Sequence, residues 1–347
     1  MLMTSKSILP DILRAKLNRL GSKLERQLPI DREFDGILDE MNALPPRIVV
    51  RADSEIAFAA NLQKWRRQYP LIVRLFSPRM VDIEQLGRIP DLEFLFLFHR
   101  DGYVREEALR RLSSPIPSPF LFAAIAWRLN DWVDSVREAA TECASRCFPI
   151  TSPTVIADAA LTLLTRENSW GRWTDERSAL STAFSRPDVA KALAAAIGAY
   201  RTGPMATVLR HALREGSLDM HLDELARDAV QPAVRATAAQ ALIDNHATWP
   251  SGWRWRWVDK SMGIRRRETA YSRRPLNYSA PRISVIESSA KDPSAAVRRV
   301  AVASLIQHQV DPIIARRIAT PLLEDRSSSV RERAEFILRE CPKAPAH

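Results

Sequence analysis

The sequence predicts an all-α fold made by stacking helix pairs. Three observations predict it. A short motif, an Asp, a gap and then Val-Arg-x-x-Ala, recurs along the chain. Glycine is scarce, at 10 of 347 residues, under half of the roughly 7 % usual in proteins. Proline, at 23 residues, supplies the breaks that glycine does not. This composition argues against Gly-rich phosphate loops and Gly-punctuated β architectures. At roughly 100–200 residues per domain, the length allows two or three domains or one long repeat array.

Residues 1–89 are the least regular part and are expected to form a divergent helical N-terminal cap. Ile8, Leu9, Ile12, Leu13, Leu17, Leu20, Leu24 and Leu28 recur at helical spacing, so the segment opens with a basic amphipathic helix. It lacks the apolar core of a signal peptide. Helices are expected near 8–27, 31–43 and 53–68, interrupted by Pro45-Pro46 and Ser77-Pro78. The most apolar run, Leu92 to Phe98, is too short to span a bilayer. No membrane association is expected.

Residues 90–341 carry the motif. Its Val falls at positions 104, 136, 234, 297 and 330, in steps of 32, 98, 63 and 33. With a unit near 32 residues these are one, three, two and one unit, and Arg266-Arg267-Glu268-Thr269-Ala270 is read as a degenerate copy filling the step of 63. The Asp can cap the following helix by accepting free N–H groups, and its charge suits the positive helix end. Val, Ala and a later Leu or Ile then share one face, as in Val297, Ala301 and Leu305. An apolar helix precedes each copy, near 90–99, 118–129, 218–227, 281–290 and 311–323. One pair cannot bury its face alone; a stack of pairs can. Residues 150–215 hold degenerate units, with helices near 153–164, 175–184, 187–199 and 204–214. Residues 342–347 are expected to fray.

The turn Asp and the Val-Arg pair of the second helix resemble those of the HEAT-repeat, armadillo-like family. The resemblance covers about residues 90–148 and 218–341, and it implies a right-handed α-solenoid superhelix. It further implies that these Asp and Arg residues form a structural inter-repeat ladder: Asp101, Arg105, Asp131, Arg137, Asp228, Arg235, Asp292, Arg298, Asp325 and Arg331. The Asp-to-Arg spacing is six in three copies but four at Asp101/Arg105 and seven at Asp228/Arg235, so those two depart from the pattern.

The chain lacks the common nucleotide, hydrolase, zincin and redox motifs. Its six His residues lack metal spacing, and Cys143, Cys147 and Cys341 form no disulfide framework. Neither cofactor nor metal is implied, a reducing cytoplasm fits, and nothing nominates an enzyme. The net charge is +10, with 43 Arg against 8 Lys. A basic balance admits nucleic acid or acidic proteins as partners, and a GC-biased genome would also produce an Arg excess.

One stretch breaks the pattern, the Trp/Arg-rich irregular unit at 249–280. It holds Trp249, Trp253, Trp255 and Trp257, with Arg254, Arg256, Lys260, Arg265, Arg266, Arg267, Arg273 and Arg274 against only Asp259 and Glu268. Two readings stand. Trp side chains could fill a gap left by lost helical regularity. Alternatively, Trp and Arg together form an interaction surface, since these residue types dominate interface hot spots and also suit base stacking and phosphate pairing. An extended strand would put Trp253, Trp255 and Trp257 on one face; a helix would spread them. Two smaller clusters are Trp170 and Trp173 with Arg172, and Trp65, Arg66, Arg67 and Tyr69.

The expectation is therefore a non-catalytic scaffold whose groove and basic Trp-rich segment bind an acidic protein partner. The alternative is a nucleic-acid-binding solenoid. Some bacterial DNA glycosylases are similar in repeat type and charge, and in them a Trp stands four residues before a catalytic Asp. Trp132, beside Asp131 and Asp134, is taken as the nearest approach to that pair.

Overall fold

A computed structural model describes residues 7–26, 28–62, 78–166 and 169–340. Trp65, Arg66, Arg67, Tyr69, Cys341 and residues 342–347 lie outside the described residues. The chain is mostly helical and forms two compact units, residues 1–184 and 185–347.

The first unit opens with α1 (Asp11–Glu25), α2 (Asp31–Phe34), α3 (Ile37–Asn42), α4 (Val49–Ala59) and α5 (Pro78–Leu86). Leu13, Leu17, Leu20 and Leu24 of α1 are fully buried, which fixes the apolar stripe of the amphipathic pattern. At Gly21 the helix meets the backbone of α4: a Cβ there would lie 2.7 Å from the carbonyl carbon of Ala60. Then come α6 (Leu92–Phe96), α7 (Gly102–Arg111), α8 (Pro119–Arg128), α9 (Asp134–Cys147) and α10 (Pro153–Arg166). Both α3 and α4 pack on α8, so the N-terminal helices share a core with the first motif copies. Phe122 and Phe148 stack there at 4.4 Å between centroids. Trp170 and Trp173 are buried, and Trp127 meets Trp170 edge-on at 5.3 Å. That cluster is packing rather than an exposed insertion.

Helix α11 (Arg177–Ser185) ends the first unit. The second continues with α12 (Pro187–Ala199), α13 (Met205–Ala212), α14 (Leu222–Asp228) and α15 (Pro232–Asp244), then strands β1 (His246–Asp259) and β2 (Ile264–Pro275). It closes with α16 (Arg282–Ala290), α17 (Ala295–Gln307), α18 (Pro312–Ala319) and α19 (Ser328–Glu340). The helices expected in the degenerate stretch form at nearly the expected bounds.

Each motif copy opens the second helix of a pair. Its Val and Ala point into the core: Val104, Val136, Val234, Val297 and Val330 are all buried, as are Ala108, Ala140, Ala238, Ala301 and Ala334. Within the first unit α7 packs on α9; within the second, α15 packs on α17 and α17 on α19. The small Ala residues allow that approach.

The motif Arg residues tie these second helices together. Arg105 donates from Nε and Nη2 to Asp131, at 3.0 and 2.7 Å. Arg235 does the same to Asp292 at 2.7 and 2.9 Å, and Arg298 to Asp325 at 2.5 and 2.8 Å. Arg137 has no Asp in the next copy; its Nε donates to Glu176, just before α11, at 3.0 Å. Every one of these Arg residues, and Arg331, also donates to the carbonyl six residues upstream: His99, Asp131, Ala229, Asp292 and Asp325. That bond fixes the register. It corrects two positions in the sequence reading. Asp101 is the cap of α7, accepting from Tyr103 N–H, and His99 holds its ladder position. Asp228 is exposed at the end of α14, and Ala229 holds that position. Elsewhere the turn Asp accepts the N–H two residues on, as Asp131 does from Val133 at 3.1 Å and Asp325 from Ser327 at 2.8 Å.

The ladder makes stability sensitive to acid. The Arg298 hydrogen bond holds the Asp325 carboxyl below the usual carboxylate range. Burial pushes Glu176 up, but the Thr174 N–H and the Arg137 guanidinium outweigh it and the net direction is down. Groups depressed on folding stabilise the native state above their unfolded pKa and lose that contribution as pH falls through the folded value. The urea midpoint is therefore expected to fall as pH drops from about 5 to about 3. Asp325→Asn should lower the midpoint at neutral pH and flatten part of that dependence.

Two elements depart from an all-α chain. Residues 246–275, with the supposed degenerate copy Arg266–Ala270 inside β2, form an antiparallel hairpin. The step of 63 residues is thus one unit plus a hairpin, not two units. Arg235 and Asp292 pair directly across it. The cause is periodicity: Trp253, Trp255 and Trp257 alternate with Arg254 and Arg256, and an aromatic period of two suits a pleated strand rather than a helix.

Candidate functional site

The hairpin is held at its root and free along its length. Leu276 N–H donates to the Asn245 carbonyl at 3.2 Å, closing the two ends where α15 stops in a left-handed turn at Asn245. Arg274 forks onto Asp219, at 2.7 and 2.8 Å, and donates to the carbonyls of Leu213 and Arg214. Asn277 N–H completes the bonding of Asp219. Arg274, read above as partner-binding, is thus an anchor: its guanidinium is already engaged. At the tip, Asp259 accepts from Ser261 N–H, Ser261 Oγ and Met262 N–H, which hold its carboxyl below the usual range. Gly263 takes the positive φ that the return requires.

The ladder register gives the two faces different chemistry. Trp253, Trp255 and Trp257 face Thr269, Arg267 and Arg265 across the strands. Their exposures are 62, 59 and 51 %. Arg265 lies over the Trp255 ring and Arg267 over the Trp253 ring, each with Cζ 4.7 Å from the centroid. These cation–π contacts tie each ring to an arginine of the neighbouring strand. The other face carries Arg254, Arg256, Arg266 and Glu268. Arg254 Nε meets Glu268 at 2.7 Å, while Arg256 stands directly opposite Arg266. Lys260 and Arg273 are exposed. Only Trp249 of the four tryptophans is half-buried, so the gap-filling reading fails for the other three.

Beside the hairpin root lies a groove of about 350 Å³ in the second unit. Its wall is built from second helices, with Ala233, Ala236, Ala241, Ala296 and Val300. Its polar floor is Asp244, which is engaged by Gln240 and His308, each at 2.8 Å. Arg210, Thr237, Gln240, His246 and Thr248 also line it, so half of the lining is polar.

The Trp-x-x-x-Asp spacing is in fact present twice in the chain, at Trp127 and Asp131, upstream of Trp132, and at Trp255 and Asp259 on β1, where Asp259 is engaged by the hairpin tip. Asp131 is 4 % exposed and accepts from Arg105, Arg128 and Val133 N–H. It is a structural node rather than a free carboxylate. Among the described residues no group of His, Cys, Asp and Glu has the arrangement of a metal site, and no helix is long and apolar enough to cross a membrane. Set against family models, curated proteins and solved structures, the chain finds no match in any of the three.

Proposed function

We propose that this chain is a HEAT-type helical solenoid that binds an acidic protein segment, with the hairpin at 246–275 as its docking arm and the groove beside it as the seat. The observation that carries this reading is the row of three exposed tryptophans braced by Arg265 and Arg267. An exposed aromatic row with arginines over two of its rings offers large contact area at little conformational cost, which is the profile of an interface hot spot. No residue is placed in a catalytic role.

One observation favours nucleic acid instead. Arg256 faces Arg266 directly across the ladder, and although Arg256 also approaches Glu268 at 3.7 Å, the pair adds to an exposed cationic face that an anionic polymer would fit. The two readings separate by capture of partners from native lysate, with and without nuclease, by wild type and by two variants. Trp253→Ala with Trp255→Ala is expected to abolish a nuclease-resistant protein partner, with at least a tenfold loss of affinity, about 1.4 kcal/mol or more. Arg254→Ala with Arg256→Ala is expected to weaken it less and to leave melting unchanged. Partners that vanish on nuclease treatment, with binding that falls steeply between low and moderate salt, would transfer the arm to nucleic acid.

A further inference from the structure

A second site lies in the first unit, far from the hairpin in sequence and independent of it. A cavity of about 190 Å³ is lined by four arginines, Arg100, Arg105, Arg128 and Arg172, against two carboxylates, Asp53 and Asp131. Most of these charges form a chain of pairs. Arg105 and Arg128 both bond Asp131, Arg128 also bonds Asp53, and Arg100 approaches Asp53 at 3.5 Å. His99 in the wall accepts from Asp101 N–H at Nδ1 and turns Nε2 to Asp82 at 3.3 Å, so it adds no acceptor to the cavity. The chain of pairs therefore ends in an excess of guanidinium.

Three details define the cavity. Arg128 is 5 % exposed, and its Nε is buried without a hydrogen-bond partner. That nitrogen has no accessible surface, so the guanidiniums open to a ligand are those of exposed Arg100 and Arg172. Arg172 is exposed at the rim, yet its backbone N–H is fixed by buried Asn130 Oδ1 at 2.9 Å. Two indoles complete the wall: Trp127, half-buried, and Trp132, which is 71 % exposed.

We infer that this cavity binds a small organic oxyanion, its carboxylate or phosphate group among the arginines and a flat ring against Trp127 and Trp132. Arginine forks match both oxyanions. The volume fits one ring with its oxyanion: a cavity of about 150 Å³ holds benzene, and this one measures about 190 Å³.

The test titrates the full chain with phenyl phosphate, benzoate, inorganic phosphate and benzylamine by calorimetry. Saturable binding of phenyl phosphate or benzoate is expected, with whichever is tighter identifying the oxyanion. Inorganic phosphate is expected to bind at least tenfold more weakly than phenyl phosphate, and benzylamine not at all. Because Arg128 pairs with buried carboxylates, its replacement would confound folding with binding; Arg172→Ala and Trp132→Ala act on exposed side chains instead. Each is expected to weaken binding at least tenfold with unchanged melting in the absence of ligand, whereas Trp253→Ala with Trp255→Ala leaves it intact. No saturable binding of either aromatic anion, equal binding of benzylamine, or affinity indifferent to both variants would overturn the inference.

Discussion

Asp131→Asn is expected to lower the stability of the first unit by about 3–5 kcal/mol, the range for removing one partner of a buried ion pair. The carboxylate serves Arg105 and Arg128 at once and fixes Val133 N–H in the turn before α9. The side chains of Arg105 and Arg128 are 3 and 6 % exposed. Asn keeps the shape and one acceptor but leaves two guanidinium charges buried with only Asp53 between them. Burial already pulls Arg105 below its ordinary pKa, opposed chiefly by Asp131, so losing that carboxylate removes what holds the charge in place. Urea unfolding followed by circular dichroism and by Trp fluorescence reads the change. A loss below about 1 kcal/mol, the range of an exposed pair, would mean that water reaches the site. Asp325→Asn, with a more exposed Arg298 opposite, is expected to cost less.

Val297→Asp is expected to do comparable or greater damage to the second unit. Val297 is 1 % exposed on α17, on the face that carries Ala301 and Leu305. A carboxylate there has no partner and would have to be protonated or dragged to solvent. A loss of about 4 kcal/mol or more, at the severe end for point substitutions, would unravel α16 to α19. Hydrogen exchange gives the pattern directly: amides of α16 to α19 lose protection, and those of α8 and α9 keep it. Protection unchanged along α17 would show the register to be wrong.

The helical part of this architecture is written plainly in the chain. Val, Ala and Leu at helical spacing name the buried face, and Pro and Asp mark where helices begin, even in the degenerate stretch at 150–215. What escaped reading follows from how contacts relate to sequence. Glu176 replaces the expected Asp opposite Arg137 from 39 residues away, and no local pattern announces it. Arg266–Ala270 mimics the motif's composition, but its neighbours alternate with period two, and in the fold it pairs with Gly252 to Arg256. The Trp–Arg alternation at 253–257 suits a strand, but with that stretch exposed on both faces it carries no core signal to decide between strand and helix. Trp127 and Asp131 stand at a spacing that plain counting finds. The oxyanion cavity is assembled from Asp53, Arg100, Arg128 and Arg172, which come together only when the helices pack.

The closure of Asn245 onto Leu276 bears on how such a chain can change over generations. The arm leaves the helical framework and returns to it at nearly one point, so the helices on either side need no adjustment in phase or length. A single in-frame event at that junction can add, delete or exchange the entire arm, and the framework it leaves behind is already continuous through Arg235 and Asp292. Exchange or loss of the arm would then leave the helices and their Arg–Asp pairs as they stand.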